Sequence, residues 1–315
     1  QIEISADTLD HILIYGSLNQ DSLIAQASIQ VKESILEANV RGANYLDEIP
    51  SYAYNISTEK FDVSSLSVSE NFPTSINLKI EGTGSGLDMQ NMALNGAIKI
   101  DTSYVNGAQI QFGKQHFSLK NGILNVSDAE LKSEIADAVF KLRKNLKDEK
   151  DPDNTLTFDL DIKNTQPFAS LTDFNILQIS GSLYADIKEN EEGFLECRTQ
   201  LNLQNIVIDD MFVADGISGN ADAVLKQKNE GSFELEIEKP KIFDTQFQDI
   251  TIGTESISTD DSLYGRYSIV VKDAEEGSIV NEGNYEMLLD SMHLALTMDK
   301  LDIEGETCLK RTAII

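Results

Sequence analysis

Alternating apolar and polar residues recur along almost the whole chain, and this period of two is the feature that most limits how it can fold. In residues 156–163, apolar side chains alternate with Thr, Asp and Lys, and the pattern returns at residues 76–81, 233–238 and 292–298. Successive side chains of a β-strand point to opposite faces of its sheet, so the pattern predicts strands with one apolar and one polar face. Such a sheet must cover its apolar face with itself, with another sheet or with a ligand.

Short segments rich in Asn, Asp and Gly separate the apolar runs. They include Asn106-Gly107, Asn121-Gly122, residues 81–86 and residues 281–283. These residue types tolerate the positive φ angles of tight turns. Long amphipathic helices do not alternate with the strands, so a parallel α/β sheet is not expected. The sequence therefore predicts an all-β fold, a long antiparallel meander of about sixteen to twenty strands.

Residues 127–147 fit two interpretations. Ser127 and Glu130 have the spacing of a capping box, and the apolar residues that follow have helical spacing, which favours a helix. In the alternative interpretation, one face of a strand carries Ala136, Ala138, Phe140 and Leu142. The residues alone slightly favour the helix.

Local irregularities are also expected inside the strands. Leu301 and Ile303 are out of phase with residues 292–298, which predicts a turn or bulge near Asp299-Lys300. A glycine between apolar residues recurs at Gly16, Gly96, Gly181 and Gly305. Such a glycine predicts a bulge, a bend or a close approach of another group to the backbone.

The chain is strongly acidic, with a formal net charge of −28 and a pI near 4.3. An acidic surface repels phosphate backbones and anionic headgroups, so neither nucleic acid nor flat docking on an anionic membrane is expected. The carboxylates are interpreted as a solvated outer face.

Residue patterns for catalysis or for metal binding are weak. The three histidines (His11, His116 and His293) stand alone, without the spacing of a zinc site. The glycine cluster at residues 82–86 lacks the lysine of a phosphate-binding loop and is interpreted as a hairpin connection. The chain is therefore predicted not to be an enzyme and to need no cofactor or metal.

The two cysteines do not identify a redox compartment. Cys197 shares a predicted strand face with Leu201 and Leu203, so a buried free thiol is expected there rather than a disulfide to Cys308. No run of about 18 apolar residues predicts a membrane span. The chain begins with Gln1 rather than Met and is interpreted as a piece of a longer protein.

The apolar faces leave two interpretations open. They could form the core of a closed sandwich, or they could bind acyl chains, which need only a dry surface of tolerant shape. Each buried methylene is worth about 0.8 kcal/mol, so such a face holds a fatty tail without specific polar contacts. Two non-lipid alternatives are a structural or adhesive all-β protein with a closed core and a carbohydrate-active β-helix.

Several degenerate segments carry a resemblance to a known family. They are residues 36–66, 72–86, 94–98, 117–126 and 133–137, with looser matches from 181 to 305. Through these segments the chain resembles the AsmA/TamB-like family, the translocation and assembly module proteins of bacterial envelopes.

The resemblance implies a long, twisted, groove-shaped sheet with an apolar interior, similar to eukaryotic bridge-like lipid transfer proteins. It implies a non-enzymatic role in moving phospholipid toward the outer membrane or in assembly of outer-membrane proteins. It places the chain in the periplasm, in a full-length protein anchored to the inner membrane by a helix outside this piece. An outer-membrane barrel assembly protein would be contacted through parts of the protein not present here. The resemblance also implies that residues 133–142 form a strand, against the helical spacing.

Together these observations predict one continuous β-groove over residues 1–315, which can be divided into 1–150 and 151–315 at the acidic turn of residues 148–154. Phospholipid acyl chains are the expected partners, carried passively along the apolar groove. The groove lining is predicted to consist of Ile76, Leu78, Ile80, Ile98, Ile100, Leu156, Phe158, Leu160, Ile162, Phe233, Leu235, Ile237, Leu294, Leu296 and Met298. The solvated exterior is predicted to carry Asp159, Asp161, Glu234, Glu236 and Glu238.

Overall fold

The computed structural model describes most of the chain. The residues described are 11–19, 21–44, 49–62, 73–88, 92–148, 150–171, 174–225, 229–258, 262–273, 277–288, 293–303, 306–308 and 311–314. Within them the chain forms 22 β-strands, no α-helix and one short 3-10 helix at Gln166–Leu171. Gly305, one of the glycines singled out in the sequence, lies outside the described residues.

Backbone contacts divide the chain into two compact units. The first unit comprises Gln1–Glu149 and Pro167–Asp173, and the second comprises Lys150–Gln166 and Phe174–Ile315. The main boundary thus falls within residues 148–154. The strands of the first unit are β1 (His11–Leu18), β2 (Ser22–Val31), β3 (Ser34–Ala43), β4 (Ser51–Phe61), β5 (Thr74–Ser85), β6 (Ala93–Ile100), β7 (Ser103–Val105), β8 (Ala108–Lys120), β9 (Ile123–Ser133) and β10 (Ala136–Asn145).

The second unit contains the other strands. They are β11 (Thr155–Ile162), β12 (Leu177–Glu189), β13 (Leu195–Ile208), β14 (Phe212–Leu225), β15 (Asn229–Glu238), β16 (Lys241–Ile242), β17 (Thr245–Ser258), β18 (Ser262–Asp273), β19 (Ser278–Leu288), β20 (His293–Ile303), β21 (Glu306–Cys308) and β22 (Arg311–Ile314). The short strands β7, β16, β21 and β22 have two to four residues, and they account for the excess over the expected number.

Within each unit the strands form an antiparallel meander. In the first unit, β1 to β6 pair in chain order, β8 follows β6, and β9 and β10 complete the series. In the second unit, β11 to β15 pair in chain order and are followed by β17 to β20. The prediction of an all-β antiparallel meander is confirmed.

Two Asn-Gly pairs make the tight turns that the sequence predicts. Asn106 and Gly107 have φ angles of 47° and 83°, and Asn121 and Gly122 have φ angles of 54° and 80°. Positive φ at both central residues matches the right-handed twist of the flanking strands. These turns connect β7 to β8 and β8 to β9.

The helical interpretation of residues 127–147 is wrong, because this segment is the hairpin of β9 and β10. The Ser133 hydroxyl accepts hydrogen bonds from the backbone amides of Ile135 (3.2 Å) and Ala136 (2.9 Å), which closes the turn. The resemblance placed a strand at residues 133–142, whereas β10 begins only at Ala136. β9 pairs with β8 on one side and with β10 on the other. Because of this pairing the segment forms strands in spite of its helical spacing.

Two glycine-containing segments interpreted as turns are strand interiors. Gly82 to Ser85 belong to β5, and Asn281 to Gly283 belong to β19. At Gly82 and Gly84, tyrosine rings from the neighbouring strand β4 lie where a Cβ would stand. Cross-strand packing therefore explains these two β5 glycines, and turn chemistry does not.

The predicted bulge near Asp299-Lys300 is confirmed. Gly283 of β19 pairs with Met298, whereas Glu282 pairs with Lys300, so Asp299 has no residue opposite it. The extra residue keeps Met298 and Leu301 on the same face of the sheet. This explains the change of phase in the sequence.

Few apolar side chains are fully buried in the part of the chain that the structure describes. The buried hydrophobic residues are Val31, Ala108, Leu119, Val126, Ala129, Ala169, Ile206, Ala214 and Ile250. Four of these nine are alanines. A closed sandwich would bury the inward-facing side chains of nearly every strand. Most apolar residues of these strands are half-buried instead.

Candidate functional site

The apolar residues of the second unit align across strands into four ladders on one face. Directly opposed residues of antiparallel strands place their side chains on the same face. Ladder 1 is Ile162, Gly181, Leu203, Ile217, Ile237, Ile250, Val271, Ile279 and Ile303. Ladder 2 is Leu160, Leu183, Leu201, Gly219, Leu235, Ile252, Ile269, Asn281 and Leu301. Both are aliphatic apart from two glycines and one asparagine.

Ladders 3 and 4 lie beside them and have a different composition. Ladder 3 is Phe158, Ala185, Thr199, Ala221, Phe233, Thr254, Tyr267, Gly283 and Met298. Ladder 4 is Leu156, Ile187, Cys197, Ala223, Gly231, Ser256, Gly265 and Tyr285. Ladder 3 mixes large apolar residues with small and hydroxyl-bearing ones, and ladder 4 carries a run of small residues between Ile187 and Tyr285. Beyond ladder 4 the same face carries leucines again, where Leu195 pairs with Leu225 and Ser258 pairs with Leu263.

The predicted lining residues of the second unit all lie on this face as far as they are described. Leu156, Phe158, Leu160, Ile162, Phe233, Leu235, Ile237 and Met298 are members of the four ladders. Leu294 and Leu296 pair with Met287 and Tyr285 of β19, but their side chains lie outside the described residues. In the first unit, Leu78 pairs with Ile100 and Ile80 pairs with Ile98. Ile76 pairs with Phe61. The structure thus places the predicted residues of each unit on a shared face.

These lining side chains are half-buried, and Phe233 is 37% exposed. The carboxylates predicted to form the exterior, at Asp159, Asp161, Glu234, Glu236 and Glu238, are exposed. Glu234 pairs with Asn220, and Glu236 pairs with Ser218, so the opposite face is polar across neighbouring strands too. In these strands the predicted lining residues and the predicted exterior carboxylates lie on opposite faces of the sheet, and their roles as lining and exterior of a groove stay predictions.

Hydroxyl groups of ladders 3 and 4 are held by weak local hydrogen bonds. Thr199 Oγ1 donates to the carbonyl of Ala221 (3.4 Å), and Ser256 Oγ donates to the carbonyl of Gly231 (3.3 Å). The Tyr267 hydroxyl donates to Asn281 Oδ1 (3.2 Å). Each of these hydroxyls donates its one proton in the bond described, so what remains to it is the capacity to accept a hydrogen bond. The sequence pattern did not single out these residues, although Thr199 and Tyr267 each stand two positions from an apolar residue of the same face, Leu201 and Ile269.

Cys197 lies in ladder 4 as a free thiol, as predicted, but its side chain is half-buried rather than buried. Burial raises its pKa, and the nearby carboxylates of Asp186 and Asp222 raise it further. A raised pKa keeps the side chain in the neutral thiol form, which suits an apolar face.

Aromatic rings cover glycines on the apolar face of the first unit. Tyr54 of β4 lies over Gly82 of β5 and reaches Gly96 of β6, where Phe117 arrives from β8. The Tyr54 hydroxyl is buried without a hydrogen-bond partner among the described residues. Burial raises its pKa, and Tyr52 adds to the shift. Gly96 therefore lets the rings of Tyr54 and Phe117 approach the backbone closely, as predicted for a glycine inside a strand.

Gly96→Ala is expected to destabilise the first unit by roughly 1–3 kcal/mol, the range for overpacking. A Cβ at position 96 would stand 2.5 Å from Phe117 Cζ and 2.6 Å from the Tyr54 hydroxyl, so both rings must move. The measurement is hydrogen exchange of β4 to β8 amides. Gly16→Ala is the control, since nothing lies within 4 Å of its Cβ position. Equal effects in the two variants would contradict ring packing as the reason for the glycine.

The second unit contains an open cleft of about 1560 Å³, and residues of both faces contribute to its lining, Cys197 and Ser256 of ladder 4 among them. Arg198, Asp222, Glu234, Glu255 and Arg266 are among its lining residues. Arg198 Nε and Asp222 Oδ1 are 3.5 Å apart, in a pair whose side chains are mostly exposed, so the pair adds little stability. A smaller cleft shares Asp222 and Glu255 with it. The apolar interior of a groove stays a prediction.

The fold and its two faces define a class of protein: an all-β antiparallel meander whose sheet has one apolar and one polar face. Comparisons of the chain with models of protein families, with curated proteins and with solved structures find no match. Among the described residues, no helix has the length and apolar character needed to cross a membrane. The functional argument therefore rests on the two faces themselves.

Proposed function

We propose that the apolar face binds the acyl chains of phospholipids and carries them passively, as part of a lipid conduit in the bacterial envelope. The observation that supports this most strongly is the continuity of ladders 1 and 2, which present aliphatic side chains on every long strand from β11 to β20. Apart from the buried Ile250, these side chains are half-buried or, at Ile279 and Ile303, exposed, so an apolar ligand can still remove surface from water. At about 25 cal/mol per Å² of buried apolar area, such contact supplies affinity without specific polar groups.

The proposed mechanism needs no chemical step. Tails lie along the ladders and move between equivalent aliphatic positions, since no charged residue interrupts ladders 1 and 2. The exposed carboxylates of the other face keep the protein in water and oppose stacking of its strands on one another. The small number of buried residues favours this function over a structural or adhesive protein with a closed core.

The proposal includes the cellular setting that the resemblance to AsmA/TamB-like proteins implies. The chain would act in the periplasm, within a longer protein anchored to the inner membrane, in outer-membrane biogenesis or in assembly of outer-membrane proteins. A barrel assembly protein would be contacted by other parts of that protein. Nucleic acid is not a partner in this proposal, because a net charge of −28 opposes it.

Photo-crosslinking at two adjacent positions tests the proposed function. A benzophenone side chain at Phe158, on the apolar face, is expected to form phospholipid adducts in cells. The same group at Asp159, on the polar face of the same strand, is expected to form at least tenfold fewer. Mass spectrometry of the purified protein measures the adducts. Equal labelling at both positions, or no labelling of folded protein at either, would contradict acyl-chain binding on this face.

A further inference from the structure

The larger cleft of the second unit is lined mainly by side chains of the polar face, which the proposed function does not use. One row of these side chains, named here the polar row, crosses six strands from β13 to β19. Each member pairs directly with the next across neighbouring strands, so all of them share one face. At about 4.8 Å between strands, the row is roughly 24 Å long. The polar row is Arg198, Asp222, Ser232, Glu255, Arg266 and Asn284, and all six residues line the cleft.

The polar row mixes hydrogen-bond donors with acceptors, and its charges balance. Arg198 and Arg266 offer guanidinium donors, and Asp222 and Glu255 offer carboxylate acceptors. The Ser232 hydroxyl between the carboxylates can donate and accept. All of these side chains are exposed to solvent. A neutral molecule with many hydroxyl groups, each of which donates and accepts, therefore finds a partner at every position along the row.

The charged groups of the polar row are largely uncommitted within the protein. Glu255 and Arg266 stand directly opposite each other, yet in the part of the chain that the structure describes neither forms an ion pair or a hydrogen bond. Arg198 approaches Asp222 only through Nε, at 3.5 Å, in a pair that is mostly exposed. Five N–H donors are available on each guanidinium, so both arginines can bind a ligand without breaking a strong internal contact.

The residues beside the polar row add amide and apolar contacts to the same cleft. On one side, Gln200 pairs with Asn220, and both line the cleft. On the other side, Ile257 of β17 pairs with Tyr264 of β18, and their side chains are 36% and 38% exposed. An exposed tyrosine ring can pack against the C–H groups of a sugar ring while the hydroxyls of that sugar reach the polar groups next to it. An ion would gain nothing from this apolar surface.

We propose that this cleft binds a neutral oligosaccharide, which lies along the polar row with one sugar ring on Tyr264. Further carboxylates of the lining, such as those of Glu230 and Glu286, oppose an anionic glycan. The guanidinium groups of Arg198 and Arg266 oppose a cationic peptide. Among the described residues, none of ladders 1 and 2 lines the cleft, so this site is independent of the proposed acyl-chain binding. The proposal concerns binding alone and includes no bond cleavage.

Isothermal titration calorimetry with three neutral hexasaccharides, namely cellohexaose, maltohexaose and N-acetylchitohexaose, tests the proposal. At least one of them is expected to bind. Tyr264→Ala is expected to weaken this binding at least tenfold through loss of the ring, and Arg266→Gln at least fivefold through loss of the charged donors. Tyr184→Ala is the matched control, because Tyr184 is a 40% exposed tyrosine of the polar face that pairs with Gln200 but does not line the cleft. Its affinity is expected to stay within twofold of the unsubstituted protein.

Failure of all three hexasaccharides to bind the folded protein would overturn the proposal. Binding of an oligolysine peptide in their place would also overturn it and would indicate a peptide site. Equal losses in Tyr264→Ala and Tyr184→Ala would show that the sugar does not lie in the cleft. If Tyr264→Ala lacks a β-sheet circular dichroism spectrum, Arg266→Gln decides the test, since it changes an exposed side chain. Photo-crosslinking of phospholipid at Phe158 reports the proposed function separately from all of these outcomes.

Discussion

Leu160→Asp is expected to reduce phospholipid binding by at least tenfold while the protein stays folded. Leu160 lies in ladder 2 between Ile162 and Phe158 on the apolar face of β11 and pairs with Leu183. A carboxylate covered by acyl chains there would lose its hydration without gaining a partner. Burial of an unpaired polar group costs about 2–7 kcal/mol, and 1.4 kcal/mol already corresponds to a factor of ten in affinity. The measurement is the amount of fluorescent phospholipid bound per protein molecule.

Thr157→Asp is the matched control for this variant. It adds the same carboxylate to the same strand, but on the polar face, where Thr157 pairs with Asp186. Its lipid binding is expected to stay within twofold of the unsubstituted protein. Because Leu160 is only half-buried, the Leu160→Asp variant can fold with its carboxylate in water. Unchanged lipid binding by Leu160→Asp would contradict the proposed role of the apolar face, and unfolding of this variant alone would favour a closed core.

Gly181→Ala is expected to destabilise pairing of β12 with β13 by roughly 2–4 kcal/mol, the scale of a strained backbone combined with a steric overlap. Gly181 has a φ angle of 132°, a conformation that residues with a Cβ rarely adopt. A Cβ there would also overlap the backbone carbonyl oxygen of Asn202 in β13. Neither problem is relieved by rotation of a flexible side chain. Hydrogen exchange of the amides in β11 to β14 measures the loss.

Gly253→Ala serves as the control in the same unit. Gly253 also lies within a long strand, β17, but nothing stands within 4 Å of its Cβ position. Its effect is expected to stay below about 1 kcal/mol, since an alanine there also restricts the unfolded chain. Hydrogen exchange that is equally fast in the two variants would contradict the backbone account of Gly181.

The strands could be predicted from sequence because each of them is amphipathic over its whole length. Residues 156–163 and 233–238 alternate without interruption, and their apolar residues lie on one face of the second unit. The bulge near Asp299 could likewise be predicted from the change of phase at Leu301, because a bulge is the simplest way to keep Met298 and Leu301 on one face. Both inferences need only the period of the strand.

The errors arose where local pattern and strand pairing disagree. Residues 127–147 carry helical spacing, yet β8 offers hydrogen bonds along β9, and these outweigh a local preference of a few tenths of a kcal/mol per residue. The glycines at positions 82 and 84 resemble a turn in sequence, yet they accommodate rings that come from β4, about thirty residues earlier in the chain. The residues next to these glycines in sequence do not indicate where the tyrosine rings lie.

The sequence by itself determined that this chain is an antiparallel meander with an apolar and a polar face, because side-chain alternation is a property of each strand alone. Only the tertiary structure decided which residues of different strands stand side by side. Register joins Leu160 to Leu183 and Phe158 to Ala185, and so forms the continuous ladders of the apolar face. Pairing also brings Arg198 and Arg266, which lie on different strands, to the lining of one cleft. Both features arise from pairing between strands that are distant in sequence, and a single strand does not specify them.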